Sequence, residues 1–538
     1  MADSNENVNE DTANPTPSKE VVPSQNNEVV PSQSKEVVPS QSKEVTNTLS
    51  NTDAELLKSK YALTSKLVYA LAIIGFGSSF QFGYNIGVIN APDKFIRQFI
   101  AENHNSIFNS ELSDDSITLI FSLAVSLFPC GAMIGALASA FLADHFGRRT
   151  TLHANNGLAL LGSFLMTSAK FFNFYPLFHI GRFVIGLNAG ISSSVVPMYF
   201  TELSTVRLRG SVASLPQLVV TISILFSTVL GLPFLLGNEN RWPFLFAVMS
   251  VPAVCQIVGL FGVAESPRYT LFFKENPEKA LNDLSSLRGD EKFAQVELHS
   301  LEIEKQRQEN AEKVNVASLL GNASFRWPLF LAAFLMMAQQ LSGINAAMFF
   351  STEIFRSAGL NDENSVYATI GVGVVNVLMT VVSVYLVDLP MFGRRSLLLI
   401  GMIGMIFASL ALVISMYCFT HDIAANVTPY LACAFLLIFV IFFATGPGSI
   451  PFFYVSEVFP SSARASASAV CVATNWTFTV IVGVTFLPIE KNLKEFTFLI
   501  FTFCCLVASI VIMKFLPETK GKTVEEVEIE MQKKKRLC

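Results

Sequence analysis

The residues that could do chemistry are amides and aromatics set inside long apolar runs. Gln217 lies in the run 211 to 235, Gln339, Gln340 and Asn345 in the segment QQLSGIN, Asn376 in the run 366 to 388, and Asn475 and Trp476 in NWT. An amide offers donors and an acceptor without charge, and an indole offers an apolar face with one donor. That combination suits a neutral polyhydroxylated ligand such as a pyranose better than it suits an ion. Membrane Asn and Gln also link helices to one another, at about 0.6 to 2 kcal/mol each, and for a lone Asn this second reading stands beside the first. For the cluster, ligand binding is favoured. Gln339 and Gln340 adjoin a Ser-Gly that loosens the helix, and Gly446-Pro447-Gly448 breaks another run beside Pro451. No nucleophile with a base, metal cluster or phosphate loop is evident, so no enzyme, cofactor or metal is expected. The first run has Tyr84 and Asn85 but no carboxylate. With nothing in the pathway to carry a proton, downhill uniport is the expected mechanism.

The elements that must position these residues are membrane helices. Of 538 residues 51% are hydrophobic and only 15% charged, against about 25% charged in soluble domains. The 37 basic and 42 acidic side chains give a net charge of −5, which leaves no basic footprint for nucleic acid. Seven of the eight cysteines lie in apolar runs, Cys538 is terminal, and no CxxC occurs; this is neither a disulfide framework nor a zinc site. The start, MADSNENVNEDT, lacks the pattern of a cleavable signal, so targeting falls to the first span.

Twelve apolar stretches lie between residues 66 and 515, most with the roughly 20 residues that cross hydrocarbon. The expected organisation is a disordered tail over 1–63, a six-helix bundle over 64–263, a small helical domain over 264–326, a second bundle over 327–516, and a tail over 517–538. The tail repeats KEVVPSQ in octads. It reads as a segment too polar to fold alone, with a docking peptide for a cytosolic partner as the alternative. Arg148, Arg149, Arg207, Arg209, Arg394, Arg395 and Arg464 fall in even-numbered connections, which places those loops and both termini in the cytosol.

The halves repeat one another. PMYFTELSTVRLRG matches PFFYVSEVFPSSARA, FGRR occurs at 146–149 and 392–395, and ESPR at 265–268 corresponds to PETKG at 517–521. A duplicated unit predicts alternating access around a site at the junction. The charged residues at the cytosolic ends, Asp144, Arg148, Arg149, Glu202, Arg209, Glu265, Arg268, Asp388, Arg394, Arg395, Glu457, Arg464 and Glu518, are expected to form bridges between the halves that close the inner side and break on turnover.

Taken together, QFGYNIGVINAP, DHFGRR, GRFVIGLNAG, ESPRY, QQLSGINAAMFFSTEIF, GPGSIPFFYVSEVFP, NWT and PETKGKT resemble the facilitative glucose transporters of the sugar-porter branch of the major facilitator superfamily, over about 64–525. The resemblance implies an all-α membrane fold of twelve helices in two pseudo-symmetric bundles, in the plasma membrane, carrying hexose and most of all D-glucose. It implies that Gln217, Gln339, Gln340, Asn345 and Asn376 bind the sugar with Trp476 lining the site, joined by Phe443, Phe452 and Asn475. It assigns Asn85, Phe349, Phe350, Gly446, Pro447 and Gly448 to gating; Asn85 matches a position where proton-coupled relatives carry Asp.

The chain departs from that pattern in several places. Phe452 replaces Trp, Ala444 replaces Glu, Phe349 and Phe350 replace a Tyr pair, and Met336-Met337-Ala338 replaces Gln-Leu-Ser. Each lost hydrogen bond costs about 0.5 to 1.5 kcal/mol, a factor of roughly 2 to 12 in affinity, so selectivity can shift without loss of hexose transport. Asp388 stands two residues further from Arg394 than the pattern has it. The loop 92–115 has no glycosylation sequon, which leaves Asn426 as the exposed candidate. A proton-coupled or fructose-preferring porter and a non-transporting sugar sensor remain as alternatives.

Overall fold

The computed structural model of the chain describes residues 53, 55–57, 63–309, 314, 316–389, 391–522 and 524–536. The octad repeats, and with them the proposed docking peptide, lie outside the described residues, as do the side chains of Arg209 and Asp388.

Among the described residues there is no strand, and ten helical segments are long and apolar enough to cross a bilayer. One of the ten, Ser462–Phe515, runs through two helices, Ser461–Leu493 and Thr497–Phe515. The helix Arg148–Phe171 has the length but not the hydropathy, because Arg148, Arg149, His153, Asn155 and Asn156 crowd its first turns. Counting both corrections gives, among the described residues, the twelve spans expected from the sequence. In order they are Ser65–Gly87, Asp114–Phe146, Arg148–Phe171, Tyr175–Leu203, Arg209–Leu230, Trp242–Gly262, Ala323–Ser357, Asp362–Asp388, Arg394–Thr420, Thr428–Val458, Ser461–Leu493 and Thr497–Phe515.

Two segments read as loop and tail are helical. Asp93–Phe108 buries Ile96, Phe99, Ile100 and Asn103, and Val524–Arg536 buries Val527 and Met531. Spacings of three and four put these residues on one face, which the surrounding charge hides from a hydropathy scan. Between the sixth and seventh spans lie the helices Pro267–Phe272, Pro277–Arg288, Glu291–Glu309 and Val316–Gly321, together called the helical domain below. Buried Arg288 fixes it. The guanidinium grips Glu297 at 2.7 and 2.8 Å and donates to the Leu203 carbonyl at 2.7 Å.

The bundle has two chemically distinct ends. One, the arginine end, carries both FGRR turns and the helical domain. At the opposite end Ser113 and Asn361 cap the second and eighth spans, each followed by two acids in the first turn, as helix dipoles favour. Small residues let spans touch along their length. A Cβ on Gly190 in the fourth span would lie 2.1 Å from the Ala132 carbonyl oxygen of the second, so this contact is backbone on backbone.

Candidate functional site

The seventh and tenth spans are broken where the sequence predicts. Gly343, at φ +95°, separates Ala323–Leu341 from Ile344–Ser357, and the tenth span stops at Thr445 and resumes at Ile450 around Gly446-Pro447-Gly448. A break exposes backbone carbonyls inside the membrane, where they must find donors. Gln339 supplies them. Its Nε2 donates to Pro447 O at 2.7 Å and Gly448 O at 2.9 Å, and its Oε1 accepts from Gln340 Nε2 at 3.1 Å and Asn475 Nδ2 at 2.8 Å. Asn345 Nδ2 donates to Gln340 Oε1 and reaches Thr479 Oγ1 at 3.4 Å. Four of the expected sugar ligands are therefore one network across the seventh, tenth and eleventh spans.

An amide has two N–H bonds and two strong lone pairs, and Gln339 uses all four within the protein. In this conformation it is the joint between the two breaks, with nothing left for a ligand. The expected ligands outside the network are unspent. Gln217 is exposed and Asn376 half-buried, and neither side chain has a hydrogen bond among the described residues. Trp476 is half-buried and meets Phe82 of the first span edge-on at 6.1 Å. The Phe443 carbonyl accepts from Gly448 N at 2.9 Å, while Phe452 is exposed. Phe349 and Phe350 are buried; Phe350 leaves helical geometry (φ −131°, ψ 19°) and stacks on Phe486 at 5.2 Å.

Sequence reasoning missed the polar interior of the first half. Arg182 is fully buried in the fourth span, donating to the carbonyls of Ala124 at 3.3 Å and Asn85 at 3.1 Å and lying 4.8 Å over Phe128. Gln81 bonds Asn156 at 3.0 Å, and Asn155 and Asn188 exchange bonds at 3.1 and 3.0 Å. The motifs GRFVIGLNAG and HANNG carried this signal. Asn85 itself sits inside the first half, bonded to Gln81 O at 2.7 Å. The residue of QFGYNIGVINAP that spans the halves is Asn90, whose Nδ2 donates to Met348 O at 2.7 Å and Ser351 Oγ at 2.9 Å while its Oδ1 accepts from Thr352 N at 3.2 Å.

At the arginine end the expected bridges between halves are not those described; each described pair lies within one half. Arg148 grips Glu202 at 2.8 and 2.9 Å and meets Asp144 at 3.2 Å, and Ser266 Oγ donates to Glu202. Glu265 accepts from the backbone N–H groups of Arg148, Arg149 and Ser266 at 3.0, 3.1 and 2.9 Å, which ties its carboxylate to the start of the third span. The second half repeats the arrangement. Arg394 meets Glu457 at 3.1 Å, Thr519 donates to Glu457, and Glu518 accepts from the N–H groups of Arg394, Arg395 and Thr519 at 2.7, 3.2 and 3.2 Å. The FGRR glycines make room: a Cβ on Gly147 would stand 2.5 Å from a Glu265 oxygen, and one on Gly393 2.0 Å from a Glu518 oxygen. Arg268 pairs with Glu304 at 2.9 Å, and Arg464 donates to the Phe459 carbonyl.

Apart from Thr477 Oγ1, which meets Met133 Sδ at 3.5 Å in mid-bundle, the described bonds between the two bundles gather at the opposite end. Beside Asn90, Arg356 Nη1 lies 2.8 Å from the buried Asp93 carboxylate and 3.1 Å from Glu353, Lys94 pairs with Asp362 at 3.0 Å, and Lys491 pairs with Asp115. Burial pushes the Asp93 carboxyl up to about 6, with the Arg356 charge opposing and Glu353 adding to the rise.

The family description "Sugar (and other) transporter" matches residues 70–531, more than half the chain and both bundles. The chain belongs to this family of transporters. Facilitated glucose transporter protein 1 of Caenorhabditis elegans is 46% identical over 473 residues, covering 88% of this chain and 92% of that protein. Solute carrier family 2, facilitated glucose transporter member 3 of Homo sapiens is 37% identical over 466 residues, 86% and 92% of the two chains. Among solved structures, the major facilitator superfamily proton:xylose symporter XylE bound to 6-bromo-6-deoxy-D-glucose superposes with a TM-score of 0.68 at 24% identity, covering 87% of this chain and 99% of that one. That likeness establishes the fold. A transporter of this family is a multi-pass membrane protein and not an enzyme, and the duplicated braces are its two halves seen from the same end.

Proposed function

We propose that this chain carries a hexose, D-glucose foremost, downhill across the plasma membrane by alternating access, with the arginine end and both termini in the cytosol. The observation that carries the reading is the uncharged network centred on Gln339, which ties a cluster of amides to the breaks of two helices. Unspent Gln217 and Asn376, with the free acceptor of Asn345, are suited to meet the sugar hydroxyls, and Trp476, Phe443 and Phe452 suit its apolar face. A sugar drawing Gln340 or Asn345 toward itself would pull on Gln339, and through it on the gate at Gly446-Pro447-Gly448. The relatives named facilitated glucose transporters support the substrate class, and the lack of Asp and Glu in the central turns of the spans supports uniport. On that orientation, bonds between the halves at the end opposite the arginines support an inward-facing form. The bundle and domain limits at 64–263, 264–326 and 327–516 belong to the same proposal, as does glycosylation at Asn426, which is exposed in the turn before the tenth span.

The test is uptake of a panel of labelled hexoses into proteoliposomes, with and without a pH gradient. Equilibrating uptake of D-glucose, indifferent to the gradient, is expected. Accumulation that a protonophore collapses would establish a symporter instead. Stronger uptake of fructose would change the substrate, and sugar binding without counterflow would leave a sensor.

A further inference from the structure

At the arginine end a cavity of about 850 Å³ opens between the first turns of the third span, the end of the sixth and the start of the helical domain. It lies on neither the sugar path nor the seam between the halves. Its lining divides into a cationic floor and an apolar rim. The cations are Arg149, Lys274 and Lys279. The Arg149 guanidinium has no ion pair among the described residues, and neither has Lys279; Lys274 lies 5.8 Å over the Tyr269 ring. Two carboxyls stand against them. Glu265 is already committed to three backbone N–H groups. Asp283, beside Lys279 and Arg149, has an Oδ2 that is buried without a partner, so three cations stand against two carboxyls. The balance of the groove is positive, and because Glu265 occupies the helix start, its capacity for an anion resides in side chains.

The rim is what selects the anion. Phe261 is 70% exposed and Phe146 51% exposed, and both line the cavity, with His153 edging Phe261 at 5.0 Å. In a chain that crosses the bilayer, exposed phenyl rings at the end of a span lie against acyl chains, one step below the level of the phosphates. Basic pockets between membrane helices on the cytosolic side bind anionic head groups. We propose that this groove binds an anionic phospholipid, its phosphate held by Arg149, Lys274 and Lys279 and an acyl chain lying along Phe261 and Phe146. The inference rests on the orientation given above and not on the identity of the sugar.

The experiment uses the full chain in detergent, titrated with phosphatidylserine, phosphatidylcholine or inorganic phosphate, and reads bound lipid by native mass spectrometry and thermal stability. Phosphatidylserine should bind more tightly than phosphatidylcholine and raise the melting temperature. A Lys274→Ala/Lys279→Ala variant should lose that preference by about fivefold per lysine, roughly twenty-five-fold in all, while sugar uptake in pure phosphatidylcholine vesicles stays unchanged. Equal binding of the two lipids, or a preference surviving in the variant, overturns the proposal. Stabilisation by inorganic phosphate as large as that by the lipid also overturns it, because the site would then take free anions. None of these outcomes depends on which sugar is carried.

Discussion

Gln339 and Gln217 share a side chain and differ in what surrounds it, so the same substitution should have different consequences. Gln339→Leu removes the donors for the Pro447 and Gly448 carbonyls and the acceptor for Asn475. Leaving such buried groups unsatisfied costs about 1 to 3 kcal/mol, so the variant should melt at lower temperature and lose hexose uptake by tenfold or more. Gln217→Leu breaks no described hydrogen bond. It should leave the melting temperature unchanged and raise the KM for sugar by roughly 2 to 12-fold, the value of one hydrogen bond. Melting curves of both variants beside initial uptake rates separate the two roles, and equal loss of stability in both would refute the distinction. The sequence made the type of these residues and their nearness to the helix breaks legible. It did not show which amide ties the two breaks together, because the Gln339 partners at Pro447, Gly448 and Asn475 lie more than a hundred residues away. Arg182 was hidden for a related reason. A lone arginine in an apolar run looks like the end of a span, and only the fold shows it buried among carbonyls.

Among the elements, the third and ninth spans are the ones whose starting point is fixed from a distance. Their first N–H groups, which a helix leaves unpaired, are taken by Glu265 and Glu518, and the carboxylates also meet the positive ends of the helix dipoles. Both contacts require glycine before the arginines. Gly147→Ala would combine a strained φ of +94° with a Cβ 2.5 Å from Glu265, and Gly393→Ala would place one 2.0 Å from Glu518. Each should lower the melting temperature and reduce uptake. Gly157→Ala in the same third span, where nothing lies within 4 Å of the added Cβ, should be neutral or stabilise by up to about 1 kcal/mol, the propensity difference between the residues. Thermal denaturation of the three proteins decides the matter, and a destabilised Gly157→Ala would show that helix packing, not carboxylate access, governs these glycines. The repeat of Glu-Ser-Pro-Arg as Glu-Thr-Lys-Gly let the sequence pair these acids across the halves. It could not tell a brace inside one half from a bridge between two, since both need the same residues at the same end. Apolar runs located the spans, whereas Asp93–Phe108 and Val524–Arg536 escaped because their buried faces are only a few residues wide.

For the whole molecule, the proposed alternating access makes the balance between two forms rest on the clasp opposite the arginine end. Asp93 of the first half is buried against Arg356 of the second, with Glu353 and Arg97 in range, Glu490 held by Ser357 nearby, and the Lys94–Asp362 pair alongside. That last pair is mostly exposed and water weakens it, whereas Asp93 is buried at the seam. Loss of water raises its carboxyl to about 6 in the closed form, against the pull of Arg356. When the halves part, the group meets solvent and returns to the ordinary value near 4. The closed form thus holds the proton more tightly and is favoured by acid. Its advantage is complete below about pH 4 and is lost as pH rises through about 6. On the proposed orientation, lowering the external pH from about 7 to about 5 should shift the population roughly tenfold toward the inward-facing form. It should weaken binding of an impermeant sugar analogue from outside by up to the same factor. In Asp93→Asn, which cannot ionise, that dependence should vanish between these pH values while transport persists. A response that survives the substitution, or one in which acid strengthens outside binding, would mean that the clasp does not set the balance.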